Sequence, residues 1–136
     1  MNIKKGLMKN KSGFTLLEII IVIIIVGVLA SLALPRFFTT IEYSKAQEAL
    51  HALTVLRQAM NRCYLFDSDF TSCTLAALDV EDPGTLPNAE FTYAVASGAA
   101  TFTITGEKNT NPGGGATIAI DQDGVKTGTG IYANIR

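Results

Sequence analysis

Three patterns of hydrophobic and polar residues follow one another along the 136-residue chain. The first, over residues 14–34, is the apolar run FTLLEIIIVIIIVGVLASLAL, whose one charged residue is Glu18. At about 1.5 Å per residue, a helix of this length can cross the hydrocarbon core of a bilayer. We therefore predict a transmembrane helix over these residues.

The second pattern, over residues 35–65, has a helical repeat. Its apolar residues recur at steps of three and four and form one stripe: Ala46, Ala49, Leu53, Leu56, Met60 and Cys63. Pro35 removes a backbone donor and crowds the turn before it, so a bend is expected near residues 31–34. The segment is thus an amphipathic helix, and its stripe needs another part of the chain to cover it.

The third pattern has a period of two. After a loop over residues 67–88, apolar residues alternate in three short stretches: Phe91, Tyr93 and Val95; Phe102 and Ile104; Ile118 and Ile120. Ser97-Gly98 and Asp123-Gly124 are typical of tight turns, and residues 109–115 (NTNPGGG) of a long connection. These features predict a small antiparallel meander, so the fold class is α+β, with the long helix packed against one face of the sheet.

The charges around the apolar run indicate its orientation and raise a question about Glu18. Residues 1–13 carry four lysines and no acid, which is typical of the side kept in the cytoplasm. A cleaved secretory signal would use a site such as Ser31-Leu32-Ala33, but its apolar segment has only about 7 to 15 residues. A carboxylate in hydrocarbon costs about 3 kcal/mol and needs a partner. Cleavage between Gly13 and Phe14 would create a positively charged amine four residues from Glu18.

The sequence GFTLLE at residues 13–18, after a short basic leader and before an apolar helix, closely resembles the type IV pilin and pseudopilin family. The resemblance implies that a membrane peptidase cuts after Gly13 and methylates the new amine of Phe14. It also implies that Glu18 guides docking of subunits. The helix is then expected to continue past Pro35 to near Tyr64, as one pilin-like helix of about fifty residues and about 75 Å.

This resemblance predicts four segments: a leader that is removed (1–13), a membrane and filament-core helix (14–34), its amphipathic continuation (35–65) and a head (66–136). The implied partners are further copies of the chain, the prepilin peptidase and methylase, the inner-membrane assembly machinery, and lipid before assembly. The expected location is the bacterial inner membrane, crossed once with the N-terminus in the cytoplasm. A periplasmic or extracellular filament would follow.

The charge balance and the motifs disfavour several other classes of protein. Loss of the leader leaves seven basic and twelve acidic residues, a net charge of −5. An acidic head argues against nucleic acid as the main ligand. No phosphate-binding glycine motif, nucleophile elbow or pair of catalytic acids stands out, so we expect neither an enzyme nor a cofactor.

Two further pairs of residues could carry chemistry. Cys63 and Cys73 both follow the predicted membrane span, and an oxidising compartment favours a disulfide over two buried thiols. Asp121 and Asp123 open a sequence, DQDG, like that of a calcium loop. Val125 and Tyr132 stand where later ligands belong, so we expect a turn and no metal site.

The leading hypothesis is a prepilin that polymerises into a type IV pilus or pilus-like filament. The alternative within the family is the major pseudopilin of a type II secretion system. The alternative from another class is a membrane-anchored monomer whose acidic head binds a small ligand or a protein. Only the first two form a polymer.

Overall fold

The structure, a computed structural model, describes residues 13–109 and 114–135. The described residues form one α-helix and four strands: α1 (Leu16–Asp67), β1 (Phe91–Ser97), β2 (Phe102–Lys108), β3 (Thr117–Asp121) and β4 (Lys126–Gly128). Three short 3-10 helices lie outside these elements, at Leu75–Ala77, Pro83–Thr85 and Gly130–Tyr132. The strands form one antiparallel sheet in the order β1-β2-β3-β4. The predicted α+β, pilin-like architecture is confirmed. Except for Gly13, the predicted leader lies outside the described residues, as does most of the predicted connection over residues 109–115.

The chain divides into two compact units, Met1–Thr40 and Ile41–Arg136, and α1 contributes to both. Within the first unit the helix continues through Pro35, as the resemblance predicted. The hydroxyl of Ser31 donates to the carbonyl of Val28 (2.7 Å), and that of Thr39 donates to the carbonyl of Pro35 (3.1 Å). These side chains therefore satisfy their polar groups inside the helix. The bend at Pro35 stays a prediction.

The apolar side chains of the first unit are exposed to their surroundings. Helix α1 contains a stretch of 18 residues with a mean hydropathy of 3.0, and none of these residues is buried. By length and composition this helix can cross a membrane. Within the part of the chain that the structure describes, nothing covers this surface.

The second unit has a core between the later part of α1 and one face of the sheet. The helix contributes the predicted stripe: Ala46, Ala49, Leu53, Leu56 and Met60 are buried, with Cys63 partly buried beside them. The sheet contributes alternate residues of its strands: Phe91, Phe102, Ile104, Ile118 and Ile120. Each fully buried aliphatic or aromatic side chain contributes about 1.5–3 kcal/mol. The core therefore consists of the apolar stripe of the helix packed against the alternate apolar residues of the strands.

The loop after α1 is held by a disulfide and by aromatic packing. Cys63 of the helix and Cys73 of the loop form the predicted bridge, with their Cα atoms 6.0 Å apart. Between them in sequence lies Phe70, whose ring stacks on Tyr64 and meets Phe102 of β2 edge-on at 4.7 Å. The bridge shortens the flexible chain around Phe70, which favours insertion of this ring into the core.

A buried ion pair joins α1 to the end of β2. The ammonium group of Lys108 is fully buried and contacts the carboxylate of Glu42, whose side chain is 17% exposed. The hydroxyl of Tyr132 donates to the same carboxylate at 3.4 Å. Burial and the negative charge of Glu42 raise the pKa of Tyr132 to about 12. Tyr132 therefore remains a neutral donor across the physiological range.

Close backbone contact explains one glycine beside Tyr132. A Cβ atom added to Gly128 of β4 would lie within 3 Å of the carbonyl group of Tyr132. Only glycine lets the short helix Gly130–Tyr132 fold back over the edge of β4. This short helix thus places the hydroxyl of Tyr132 beside the buried ion pair.

We expect replacement of Glu42 by leucine to destabilise the second unit by about 3–5 kcal/mol, because Lys108 is then left buried without its carboxylate. The double variant Glu42→Leu with Lys108→Met should recover most of this loss, since neither charge remains in the core. Chemical denaturation of the detergent-solubilised full chain, followed by circular dichroism, measures both. The control is Lys126→Met on the surface, with a change within about 0.5 kcal/mol. A double variant no more stable than Glu42→Leu would contradict this account.

Candidate functional site

The candidate site is the N-terminal end of α1, where the sequence places Gly13, Phe14 and Glu18. The helix begins at Leu16, and Thr15 caps it: the backbone N–H of Glu18 donates to the Thr15 hydroxyl oxygen at 3.2 Å. The same N–H also approaches the Thr15 carbonyl at 3.1 Å. Glu18 therefore lies in the first turn, where the helix dipole favours a negative charge.

This arrangement adds a local role for Glu18. A threonine at the cap followed three residues later by glutamate is the sequence of a capping box. The pattern Thr15-x-x-Glu18 is readable from the sequence. From the sequence we considered Glu18 only as a charge in hydrocarbon and did not use this pattern. Glu18 therefore has two candidate roles, one within its helix and one between subunits.

The residues before the cap are accessible and lie outside regular secondary structure. Gly13 and Phe14 precede the helix, and the side chain of Phe14 is 79% exposed. A Cβ atom placed on Gly13 would meet nothing within 4 Å among the described residues, and its φ angle is not in the left-handed region. Packing against the described residues therefore does not require glycine here. A requirement for glycine at this position would come from a protein that binds the Gly13-Phe14 peptide bond.

The structure also brings three possible metal ligands together at the far end of α1. Ligand atoms of Cys63, Asp67 and Cys73 lie within 4.8 Å of one another. Both sulfur atoms belong to the disulfide, so they offer no thiolate to a metal. The carboxylate of Asp67 accepts a hydrogen bond from the hydroxyl of Ser72 at 2.7 Å. In the oxidised chain these residues brace the loop.

Asp121 and Asp123 lie in the turn between β3 and β4. One carboxylate oxygen of Asp121 accepts hydrogen bonds from the backbone N–H groups of Asp123 (3.0 Å) and Val125 (2.8 Å). Gly124 has a φ of +87°, and its N–H donates to the Asp121 carbonyl. This is the geometry of a tight turn stabilised by an aspartate side chain.

A guanidinium group lies against the same turn. Arg57 of α1 donates to the carbonyl of Gln122 at 3.0 Å, and a Cβ atom on Gly124 would lie 3.3 Å from the guanidinium carbon. A fixed positive charge beside Asp121 and Asp123 opposes the binding of a calcium ion there. The sequence did not indicate this contact, because Arg57 and the turn are far apart along the chain.

Comparison with known proteins bears on the N-terminal site. Residues 8–34 match the family model described as the prokaryotic N-terminal methylation motif, which includes Gly13, Phe14 and Glu18. The chain is 40% identical over 86 residues to type II secretion system core protein G of Escherichia coli (strain K12), covering 62% of this chain and 58% of that protein. The corresponding protein of Aeromonas hydrophila is 37% identical over 71 residues, 52% of this chain and 49% of its own length.

A second kind of relative is a fimbrial subunit. The type IV major fimbrial protein FimA of Dichelobacter nodosus is 32% identical over 63 residues, 46% of this chain and 40% of that protein. The chain spans about half the length of the curated relatives it matches. No solved structure shows a significant match. The resemblance to type IV pilins and pseudopilins is confirmed, and its homologues include both a secretion subunit and a fimbrial subunit.

We expect millimolar calcium to leave the thermal unfolding midpoint of the detergent-solubilised chain unchanged, because the Asp121 carboxylate is engaged by the turn and Arg57 lies beside it. Scans with calcium and with a chelator measure this. The matched variant is Asp123→Ala. A midpoint that rises with calcium in the wild type and not in Asp123→Ala would show that the turn is a metal site.

Proposed function

We propose that the chain is a prepilin: a structural subunit, and not an enzyme, that polymerises into a type IV pilus or a pilus-like filament. In this proposal, a prepilin peptidase cuts after Gly13 and the new amine of Phe14 is methylated. The observation that carries it is the methylation-motif match over residues 8–34, which coincides with an accessible peptide bond and a capped helix start.

The exposed apolar helix supports assembly. Isolated soluble proteins rarely expose contiguous apolar patches larger than about 300–600 Å². The described side chains of residues 14–38 are exposed along the helix, so they require lipid or other protein around them. Lipid would cover this surface before assembly, and the same segments of neighbouring copies would cover it afterwards.

Two features of the helix suit contact between copies. Gly27 and Ser31 are four residues apart and lie on one face, which lets helices approach closely. A Cβ atom on Gly27 would meet nothing within 4 Å among the described residues, so none of them fills the space beside it. We propose the segments 14–34 and 35–65 as filament core and amphipathic continuation, with residues 66–136 as head.

The proposed location follows from the charges and the disulfide. Residues 1–13 remain in the cytoplasm until cleavage, the apolar helix crosses the inner membrane once, and the head folds outside the cytoplasm, where the Cys63–Cys73 bridge is stable. The inner-membrane assembly machinery then moves the subunit into a periplasmic or surface filament. The head needs no cofactor for this role.

The relatives favour one specific alternative, the major pseudopilin of a type II secretion system. The two secretion proteins are 40% and 37% identical to the chain, and the fimbrial protein is 32% identical. Both candidates share processing, membrane insertion and polymerisation. A membrane-anchored monomeric binding protein is the candidate from another class, and it forms no polymer.

Electrostatics suggests how Glu18 acts in the polymer. After cleavage, the amine of Phe14 is the one cation that the mature apolar segment 14–34 contains. An incoming copy displaced along the filament can place its Glu18 beside the amine of a neighbour. Such a pair opposes wrong axial positions, whereas the capping box requires only a hydrogen-bonding side chain at residue 18.

The mature protein should begin at Phe14 and carry an N-methyl group. Intact mass and N-terminal sequencing of the protein extracted from membranes measure this. The variant Gly13→Ala should remain at full precursor length, because the proposed requirement for glycine belongs to the peptidase. A mature protein that begins at Leu34 would instead indicate ordinary secretion.

We expect wild-type protein to be recovered as a polymer that sediments after shearing, and Glu18→Gln to be largely absent from it. Glutamine keeps the capping pattern and removes the charge, so this variant should still insert, be cleaved and form its disulfide. Thr15→Ala is the matched control, since it removes the cap and keeps the charge.

Sedimentation of both variants separates the two roles of Glu18. If Glu18→Gln polymerises at the wild-type level while Thr15→Ala fails, capping is the essential role. If wild-type protein yields no sedimentable polymer at all, the monomeric binding protein replaces the filament subunit as the better account.

A further inference from the structure

A small pocket lies at the β1 edge of the sheet, between α1 and the loop that precedes β1. Its volume is about 150 Å³. Its apolar wall includes Pro83, Leu86, Pro87 and Phe91. Its polar residues are Glu48, Asn88, Glu90 and Tyr93. Ordinary ligand pockets measure roughly 300–1,000 Å³, so this one suits a single long side chain better than a cofactor.

The pocket carries unbalanced negative charge. Glu90 pairs with Lys45 at 2.8 Å, but Glu48 has no hydrogen bond or ion pair among the residues that the structure describes. The negative charge of Glu48 also acts on Tyr93, which lines the pocket. Burial first, and then the carboxylates of Glu48 and Asp82, raise the pKa of Tyr93 to about 12. A cation entering the pocket would offset this charge.

The second unit has one described side chain that could supply such a cation. Lys45 and Lys108 pair with glutamates, Arg62 pairs with Asp79, and Arg57 donates to a backbone carbonyl. Among the lysines and arginines described in this unit, Lys126 alone has no polar partner, and it is exposed. Its aliphatic stem could lie along the prolines while the ammonium group meets Glu48.

The positions of the pocket and of Lys126 determine what kind of contact they can form. The pocket borders β1, and Lys126 begins β4, the strand at the opposite edge of the sheet. Lys126 is opposite Ile120, which is buried against α1, so both features are on the helix side of the sheet. A contact between opposite edges of two copies is heterologous, and such contacts continue into rings or helical filaments.

We propose that Lys126 of one copy inserts into the pocket of a second copy and pairs with Glu48. This inference rests on the proposed filament function and names a contact within it between the second units of two copies. The charge pair is exposed at the rim of the interface, so it contributes mainly to orientation and to rejection of wrong arrangements.

Charge exchange in the full chain tests the contact, with sedimentable polymer as the readout. Lys126→Glu and Glu48→Lys should each reduce the polymer about tenfold, because each places like charges together. The double variant carries both changes and should restore it. Glu107→Lys, on the exposed face of β2, is the matched control and should polymerise normally. Cleavage and disulfide formation, checked for each variant, show that the subunits are folded.

Thiol cross-linking gives a second measurement. A chain with Lys126→Cys and Glu48→Cys, treated in membranes with a short bismaleimide, should form a ladder of covalent multimers. The pair Lys126→Cys and Glu107→Cys should not. Normal polymer from both single reversals, or a product that stops at the dimer, would overturn this contact while leaving the filament function intact. A wild-type chain that forms no polymer would overturn both.

Discussion

Helix α1 is apolar along most of its length, and the described chain covers only part of it. Its buried residues begin at Ala46 and end at Met60, whereas the side chains before residue 39 are exposed. Hydrophobic burial is the dominant favourable term in folding and association. The sheet satisfies this requirement for the second unit. Within the described residues nothing satisfies it for the first unit, and this constraint underlies the membrane, the processing and the assembly that we propose.

The features that sequence analysis predicted correctly depend on local repeats. The stripe from Ala46 to Met60, the alternation in the strands and the turn at Asp123-Gly124 each follow from residues close together in sequence. The Cys63–Cys73 bridge follows because the chain has only these two cysteines. In each case the pattern itself contains the physical cause.

The features that it did not predict depend on distant contacts. The alternation Phe102, Ile104, Gly106 continues to Lys108 and places that lysine on the buried face, but its partner Glu42 lies 66 residues away. The contact of Arg57 with the β3–β4 turn spans 65 residues. The cap that Thr15 provides for the N–H of Glu18 is the exception, since it is local and the pattern Thr15-x-x-Glu18 is readable from the sequence.

Glu42 and Glu18 show two solutions to the same physical problem. A carboxylate removed from water is costly unless a cation and hydrogen bonds accompany it. Glu42 obtains both within its own chain, from Lys108 and Tyr132, so its charge contributes to a specific packing of helix on sheet. The apolar segment around Glu18 contains no cationic side chain, and in the function that we propose its cation is the amine created by cleavage.

In an assembly of such chains, the apolar helices would supply most of the affinity, and the charged pairs would determine the position of each copy. Contact between apolar helices is favourable but nondirectional, and a helix can slide along its neighbour while most of that contact is kept. Charged pairs at fixed positions oppose such sliding, because each displacement leaves a carboxylate without its cation. One proposed pair lies at the start of the helix, and the other lies between the second units of two copies. Together they would select one axial and rotational position for each new copy, which neither pair nor the apolar surface selects alone.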